Sequence, residues 1–221
     1  MIPDRKIIDG GQQLDRQICV EPESRFARSI QQYREILTHN GAIDPIAYAQ
    51  NALPANLTVV DAGCGVGLAL MGMRPLFPAA KLHGIDLRDA HSLTLDGFSG
   101  ERMLRRVFGI HFYRGNYTNI ANLIPQGYDM LLSVDSFYDW EHPVLEQLDV
   151  LHRFYGGLRR SGIAEVLINP TQEQWDRMQE GLTGLQIPYT FTEGDPQRLE
   201  KQGIAVDFGI LGSLVLGPKN S

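Results

Sequence analysis

The feature that most constrains the fold is a glycine-rich turn between a short apolar run and a helical pattern. Residues 57–61 form the run, glycine stands at positions 63, 65 and 67, and the helical pattern continues to Leu76. Glycine lets a backbone approach a ligand without a Cβ clash and adopts positive φ where a turn requires it. The first turn of the following helix presents backbone N–H groups without helical partners. We therefore predict a strand–turn–helix unit that binds a ligand at the turn.

Strand and helix patterns alternate along the rest of the chain. Alternation of this kind predicts right-handed crossovers and a sheet covered by helices on both faces. We predict a doubly wound α/β fold with a mostly parallel seven-stranded sheet, made of a core domain over 57–221 and an N-terminal helical extension over 1–56. The predicted strands are 57–61, 81–87, 111–113, 128–134, 164–168, 189–192 and 213–216, and the predicted helices are 24–38, 45–52, the segment ending at 76, 101–108, 143–160 and 172–185.

The composition narrows the class of protein. A chain of 221 residues with 43% apolar and 21% charged residues is typical of one globular domain. Its formal net charge of -6 argues against a nucleic-acid partner, because such proteins usually carry a basic excess. Only Cys19 and Cys64 are present and no long apolar run occurs, so we predict reduced thiols, a cytoplasmic protein and no membrane span. The spacing of histidines and acids predicts no metal site, and a homodimer stays open.

Two acids near the turn distinguish between ligands. Asp86 ends the second predicted strand, about twenty residues after the turn, where a carboxylate can accept hydrogen bonds from ribose hydroxyls. A dinucleotide fingerprint would place glycine or alanine where Leu68 stands. Asp61 directly before the turn suits a ligand with a positive amino group better than a pyrophosphate. Both departures favour a cationic nucleoside.

Four segments together resemble the successive motifs of the class I S-adenosylmethionine-dependent methyltransferases. They are residues 61–67 (DAGCGVG), Asp86, residues 128–133 (YDMLLS) and residues 158–162 (LRRSG), and they follow in the right order and spacing between residues 57 and 168. The resemblance implies a Rossmann-like fold, S-adenosylmethionine as the cofactor and methyl transfer as the activity. Arg160, where proline is common, departs from the pattern, and so do Gly156 and Gly157 within the preceding predicted helix.

The resemblance also assigns the cofactor residues. The turn would lie under the methionine part, Asp86 would take the ribose, and Asn116 and Tyr117 would border the adenine. Asn116 stands where many members of the family carry aspartate, but an amide oxygen can still meet the adenine amino group. The full set implied by the resemblance is Asp61, Gly63, Cys64, Gly65, Gly67, Asp86, Leu87, Asn116, Tyr117 and Asp135.

The segment after the fourth predicted strand is the candidate acceptor site, because catalytic groups gather in such loops. Asp135 would lie near the charged methionine end of the cofactor, and His142 is a candidate general base. An alternative reading makes His142 only the start of the next helix. Wall residues of the acceptor pocket would be Phe137, Tyr138 and Trp140 from this loop, with Tyr33 from the N-terminal extension as a cover.

The sequence therefore predicts transfer of a methyl group to a small-molecule acceptor by in-line displacement. Two alternatives remain at this stage. One is an NAD-dependent oxidoreductase, against which Asp61 and Leu68 argue. The other is a methyltransferase-like binding or regulatory protein that binds the cofactor without turnover.

Overall fold

The computed structural model describes residues 44–64, 67–87, 94–95, 98–99, 108–133, 143–168, 170–193 and 212–219. The helix predicted at 24–38 lies outside these residues, and so does the helix predicted at 101–108 except for Phe108. Five α-helices are found in the described part: α1 (Pro45–Ala52), α2 (Leu68–Leu76), α3 (Ile120–Leu123), α4 (Val144–Gly157) and α5 (Gln172–Gly184).

Seven of the strands within the described residues form one sheet. In chain order all the strands are β1 (Thr58–Ala62), β2 (Lys81–Asp86), β3 (Thr94–Leu95), β4 (Phe98–Ser99), β5 (Ile110–Arg114), β6 (Tyr128–Ser133), β7 (Leu158–Ile168), β8 (Tyr189–Glu193) and β9 (Gly212–Leu216). The large sheet has the order β5-β2-β1-β6-β7-β9-β8, and β3 and β4 pair as a separate two-stranded ribbon. Only β9 runs against its neighbours in the large sheet, antiparallel to both β7 and β8. The predicted mostly parallel, seven-stranded architecture is confirmed.

Helices cover both faces of the sheet, because successive strand residues point to opposite sides. Val59 packs with Ile46 of α1 and Leu70 of α2 in one apolar cluster. Val60 belongs to the opposite cluster, which contains Phe154 of α4 and further residues of α5. The buried α1 is thus part of the helical layer over the sheet, whereas the domain boundary predicted at residue 56 remains a prediction.

Local sequence explains where two of these helices begin. Asp44 Oδ1 accepts hydrogen bonds from the N–H groups of Ile46 at 2.9 Å and Ala47 at 3.0 Å, and Pro45 occupies the first turn of α1. At α5, Thr171 and Gln174 form a reciprocal capping box. Each cap satisfies N–H groups that a helix start leaves without partners.

The end of α4 differs from the sequence prediction. The helix predicted to reach Arg160 ends at Gly157, and Leu158 opens β7. A Cβ on Gly157 would lie 2.6 Å from Tyr128 Oη, and this hydroxyl donates to Phe154 O at 2.7 Å. The ring of Tyr128 therefore requires glycine where the helix ends. Gly156 and Gly157, which we predicted within the helix, instead occupy its last two positions.

A buried acid connects three strands at the amino end of the sheet. Asp129 Oδ2 accepts a hydrogen bond from the backbone N–H of Thr58 at 2.7 Å and another from Arg159 Nη1 at 3.0 Å. The same guanidinium nitrogen donates to Thr58 Oγ1 at 3.2 Å. Because these residues belong to β1, β6 and β7, the network fixes the relative positions of the three strands at this end.

Candidate functional site

The carboxyl ends of β1, β2, β5 and β6 form the candidate site. Consecutive connections leave β1 in opposite directions, toward β2 and β5 on one side and toward β6 and β7 on the other. Ligands of open α/β sheets bind outside the carboxyl ends of the strands at such a switch point. Asp61 and Asp86 lie there, at the ends of β1 and β2.

The turn after β1 is held against β2 by its own backbone. The N–H groups of Gly63 and Cys64 both donate to Ile85 O, at 2.8 and 3.0 Å, and Gly67 N–H donates to Cys64 O at 2.7 Å. Gly63 and Gly67 have φ values of 81° and 80°, which favour glycine. Because α2 begins after Gly67, the N–H groups of residues 68–70 are the ones without helical partners. Gly65 lies outside the described residues.

Cys64 contributes packing through its side chain. The thiol is reduced and buried, and a Cβ on Gly84 would lie 2.7 Å from Cys64 Sγ. Gly84 of β2 therefore allows the turn to approach the sheet closely. Sequence reasoning missed Gly84, although a glycine inside a predicted strand often marks a close approach of this kind.

Asp61 and Asp86 are two buried acids that lie close to each other at the site. Their exposed fractions are only 3% and 6%. Burial, and to a smaller extent the negative charge of Asp86, together raise the pKa of Asp61 to about 7. Two neighbouring buried acids cannot both ionise easily without a positive partner. The pair therefore favours a ligand that brings a cation and hydrogen-bond donors.

The residues predicted beside the nucleoside follow the ends of β2 and β5, where Asp86 pairs with Arg114. Gly115 N–H donates to Asp86 O at 2.9 Å, which fixes the start of the loop after β5. Asn116 Oδ1 already accepts the N–H of Thr118 at 2.9 Å, and its second lone pair leaves capacity for a ligand donor. Leu87 is 62% exposed although it is apolar. Tyr117 is half-buried, and its ring centre lies 5.8 Å from that of Phe154.

Two polar residues at this end of the sheet were missed by sequence reasoning. Ser133 Oγ donates to Ala62 O at 3.1 Å and ties the end of β6 to β1. Glu165 of β7 is 1% exposed and accepts a hydrogen bond from Ser213 Oγ at 2.6 Å. The available signal was a single acid inside an otherwise apolar run, which we interpreted only as a strand.

The remaining predicted site residues lie outside the described part of the chain. They are Tyr33, Asp135, Phe137, Tyr138, Trp140 and His142, and their roles stay predictions. Within the described ranges, no cluster of three or more histidines, cysteines or acids could hold a metal ion. None of the helices there is long and apolar enough to cross a membrane.

The strand order separates this fold from the dinucleotide-binding fold. The large-sheet strands, numbered by their order along the chain, run 3-2-1-4-5-7-6, with the last strand inserted antiparallel beside the fifth. A dinucleotide-binding sheet has the order 3-2-1-4-5-6. The topology thus adds to the argument from Asp61 and Leu68 against an oxidoreductase.

No protein-family model matches the chain, and no curated protein sequence matches it. Solved structures do match. A plantazolicin methyltransferase in complex with a pentazolic substrate analogue and SAH is 14% identical, with a TM-score of 0.57 over 97% of this chain and 92% of that chain. A putative rRNA methylase from Clostridium thermocellum is 18% identical, with a TM-score of 0.55 over 84% of this chain and 99% of that chain.

A third similar structure is named for a different methyl acceptor. A precorrin-6y C5,15-methyltransferase from Geobacter metallireducens is 13% identical, with a TM-score of 0.50 over 84% of this chain and 95% of that chain. At these identities the likeness concerns the fold. The chain has the α/β fold of the class I S-adenosylmethionine-dependent methyltransferases.

Proposed function

We propose that this protein transfers a methyl group from S-adenosylmethionine to a small-molecule acceptor. The observation that carries the proposal is the buried pair of Asp61 and Asp86 on either side of the glycine turn. S-adenosylmethionine carries a positive amino group, which suits Asp61, and ribose hydroxyls, which suit Asp86. A pyrophosphate would instead add negative charge beside them.

The described residues fit this cofactor from one strand to the next. Asp86 would accept hydrogen bonds from the ribose, and Asp61 would attract the positive amino group. The turn from Gly63 to Gly67 would lie under the methionine part. Asn116 and the exposed face of Leu87 would border the adenine, in keeping with their positions beside Asp86.

When bound, the cofactor would supply a methyl group for in-line displacement, and its sulfonium sulfur would keep the electron pair of the broken carbon–sulfur bond. The chain's own residues then need only align the acceptor and exclude water, which can contribute several kcal/mol without a catalytic side chain. Asp135 would lie beside the methionine end, and Phe137, Tyr138, Trp140 and Tyr33 would line the acceptor pocket. His142 would take the acceptor's proton if the nucleophile carries one.

The acceptor is proposed to be a small molecule rather than RNA. A net charge of -6 disfavours a polyanion. The putative rRNA methylase among the similar structures makes RNA the alternative to be tested. We place the reaction in the cytoplasm, because the chain has only two cysteines. We also propose that the N-terminal extension over residues 1–56 helps to cover the acceptor pocket.

A methyl-transfer assay tests the proposal. The protein would be incubated with methyl-labelled S-adenosylmethionine and a bacterial extract separated into small molecules and RNA. We expect label in the small-molecule fraction, at a rate that falls strongly for Asp86→Ala. If His142 is the base, His142→Ala lowers turnover about 10²–10⁴-fold and changes the pH profile. Label in RNA alone would contradict the assigned acceptor class, and no transfer to any fraction would contradict the activity.

A further inference from the structure

Glu165 is a buried acid that the reaction described above does not use. Ser213 Oγ donates to its Oε1 atom at 2.6 Å, whereas its Oε2 atom is buried and has no hydrogen-bond partner in the described part of the chain. The pKa of Glu165 is raised to about 8, because burial and the charge of Asp44 outweigh the opposing effect of the hydrogen bond from Ser213. At neutral pH the group is therefore a carboxylic acid whose O–H has no acceptor. A buried polar group without a partner lowers the stability of the fold.

The sheet register places Glu165 beside the cofactor site. Leu132 of β6 lies opposite both Asp61 of β1 and Glu165 of β7. Residues paired in this way point to the same face, so the two acids share one row and one face of the sheet. Neighbouring strands are about 4.8 Å apart, which puts their backbones roughly 10 Å from each other.

The two helices over this face begin at the same end of the sheet as the row of acids. Tyr48 of α1 donates to Ser161 O at the start of β7, and Asp44 at the beginning of α1 interacts electrostatically with Glu165. On the other side, Leu70 in the first turn of α2 packs near Gly84. Both helices thus begin at the carboxyl end of the sheet, one near Glu165 and the other at the glycine turn.

The proposed cofactor occupies only one side of this end. In strand order, the adenine would lie at β5, the ribose at β2 and the amino acid at β1. Beyond them come β6 and β7, where Glu165 stands. An acceptor that approaches from the side opposite the adenine would therefore contact the carboxyl end of β7.

We propose that Glu165 is a specificity-determining residue that donates a hydrogen bond from Oε2 to a carbonyl oxygen or unprotonated ring nitrogen of the methyl acceptor. The inference rests on the proposed function, because it takes the acceptor side from the placement of the cofactor. A desolvated donor that only the right substrate satisfies discriminates strongly against analogues without the acceptor atom. Ser213 orients the carboxyl group by donating to Oε1 and leaves Oε2 for the substrate.

The test is carbon-13 NMR on full-length protein labelled at the glutamate carboxyl carbon and saturated with SAH. Glu165 is assigned as the resonance missing from Glu165→Gln. The probes are quinoline and naphthalene, which have the same shape and differ only in the ring nitrogen. We expect quinoline, and not naphthalene, to shift the Glu165 resonance in a saturable way at pH 6.5.

Variants separate a donor from a base or a packing role. Glu165→Gln keeps a donor and should bind quinoline within about two-fold of the wild type, whereas Glu165→Leu should weaken binding about three- to ten-fold, the range of one net hydrogen bond. Asp129→Asn, a buried acid at the other end of the sheet, should leave quinoline binding unchanged. Equal responses to both probes, no response of Glu165, or loss of binding in Glu165→Gln would overturn the inference. Failure of SAH to bind would contradict the proposed function instead, and the probe titrations without SAH would still test Glu165.

Discussion

The two ends of the sheet contain buried acids in opposite electrostatic settings. At the amino end, Asp129 is 5% exposed and accepts hydrogen bonds from Arg159 and from the N–H of Thr58. At the carboxyl end, the charged neighbour that most affects Asp61 is a second acid, Asp86, and the pKa of Asp61 is raised to about 7. Both acids are buried, and they differ in the charge beside them, which is an arginine for Asp129 and a second acid for Asp61.

The difference distinguishes an acid that stabilises the fold from two acids at the proposed ligand site. The amino-end network is complete within the chain, because a cation and a backbone donor satisfy Asp129. Asp61 instead lies beside a second acid, Asp86, and its pKa is raised by burial and by that charge. Perturbed groups of this kind concentrate at functional sites. The comparison therefore predicts that substitutions at one end lower stability and those at the other end alter binding.

The largest effect is expected for Asp129→Ala. It leaves the buried N–H of Thr58 without an acceptor and removes the partner of Arg159, so the free energy of unfolding should fall by about 2–3 kcal/mol. Because the Arg159 side chain is 39% exposed, the lost ion pair itself adds little. Urea denaturation measures the loss, and calorimetry on the folded variant should show unchanged SAH affinity. A loss of SAH affinity with unchanged stability would break the comparison.

Asp86→Ala should give the reverse result with a somewhat smaller effect. Two ribose hydroxyls lose a charged acceptor, so SAH binding should weaken by about 1–3 kcal/mol. The melting temperature of the free protein should not fall, because the substitution removes the acid that raises the pKa of Asp61. Calorimetry and thermal unfolding measure the two quantities. An unchanged dissociation constant with an intact melting transition would remove Asp86 from the site.

A pH dependence sharpens the comparison. The pKa of Asp61 rises from 3.8 to about 7 on folding, so the folded state holds an extra proton between these values. Stability should therefore fall as pH rises from 4 to 7, by at most about 1.4 kcal/mol per pH unit. A ligand with a positive amino group favours the ionised acid, so SAH affinity should rise from pH 6 to 7.5. Both trends should flatten in Asp61→Asn, and an equally steep affinity trend in that variant would exclude Asp61 as the amino-group partner.

The periodic elements were predictable from the sequence because their patterns are local. The α1 bounds matched, and the seven strands of the large sheet were located to within one or two residues, apart from the start of β7. That start was missed because the end of α4 depends on the ring of Tyr128, which is thirty residues away from Gly157 along the chain. A tertiary contact of this kind leaves no mark on helical periodicity.

The candidate site was predictable only where motif and topology coincide. The positions of Asp61 and Asp86 followed from the turn and from the rule that sites lie at carboxyl ends of strands. The pairing of Glu165 with Ser213 was not predictable, because it depends on β9 inserting antiparallel beside β7. The close approach of Cys64 to Gly84 was missed for a similar reason, since register decides which side chains face each other.

The central claim is that the carboxyl end of the sheet binds an adenosyl ligand with a positive amino group. Calorimetry with S-adenosylmethionine, SAH and NAD at pH 7.5, on the wild type and on Asp86→Ala and Asp129→Asn, tests it most directly. The account predicts micromolar-range binding of at least one adenosyl ligand, much weaker binding of NAD, a loss of affinity in Asp86→Ala and none in Asp129→Asn. Tighter binding of NAD than of either adenosyl ligand would contradict it.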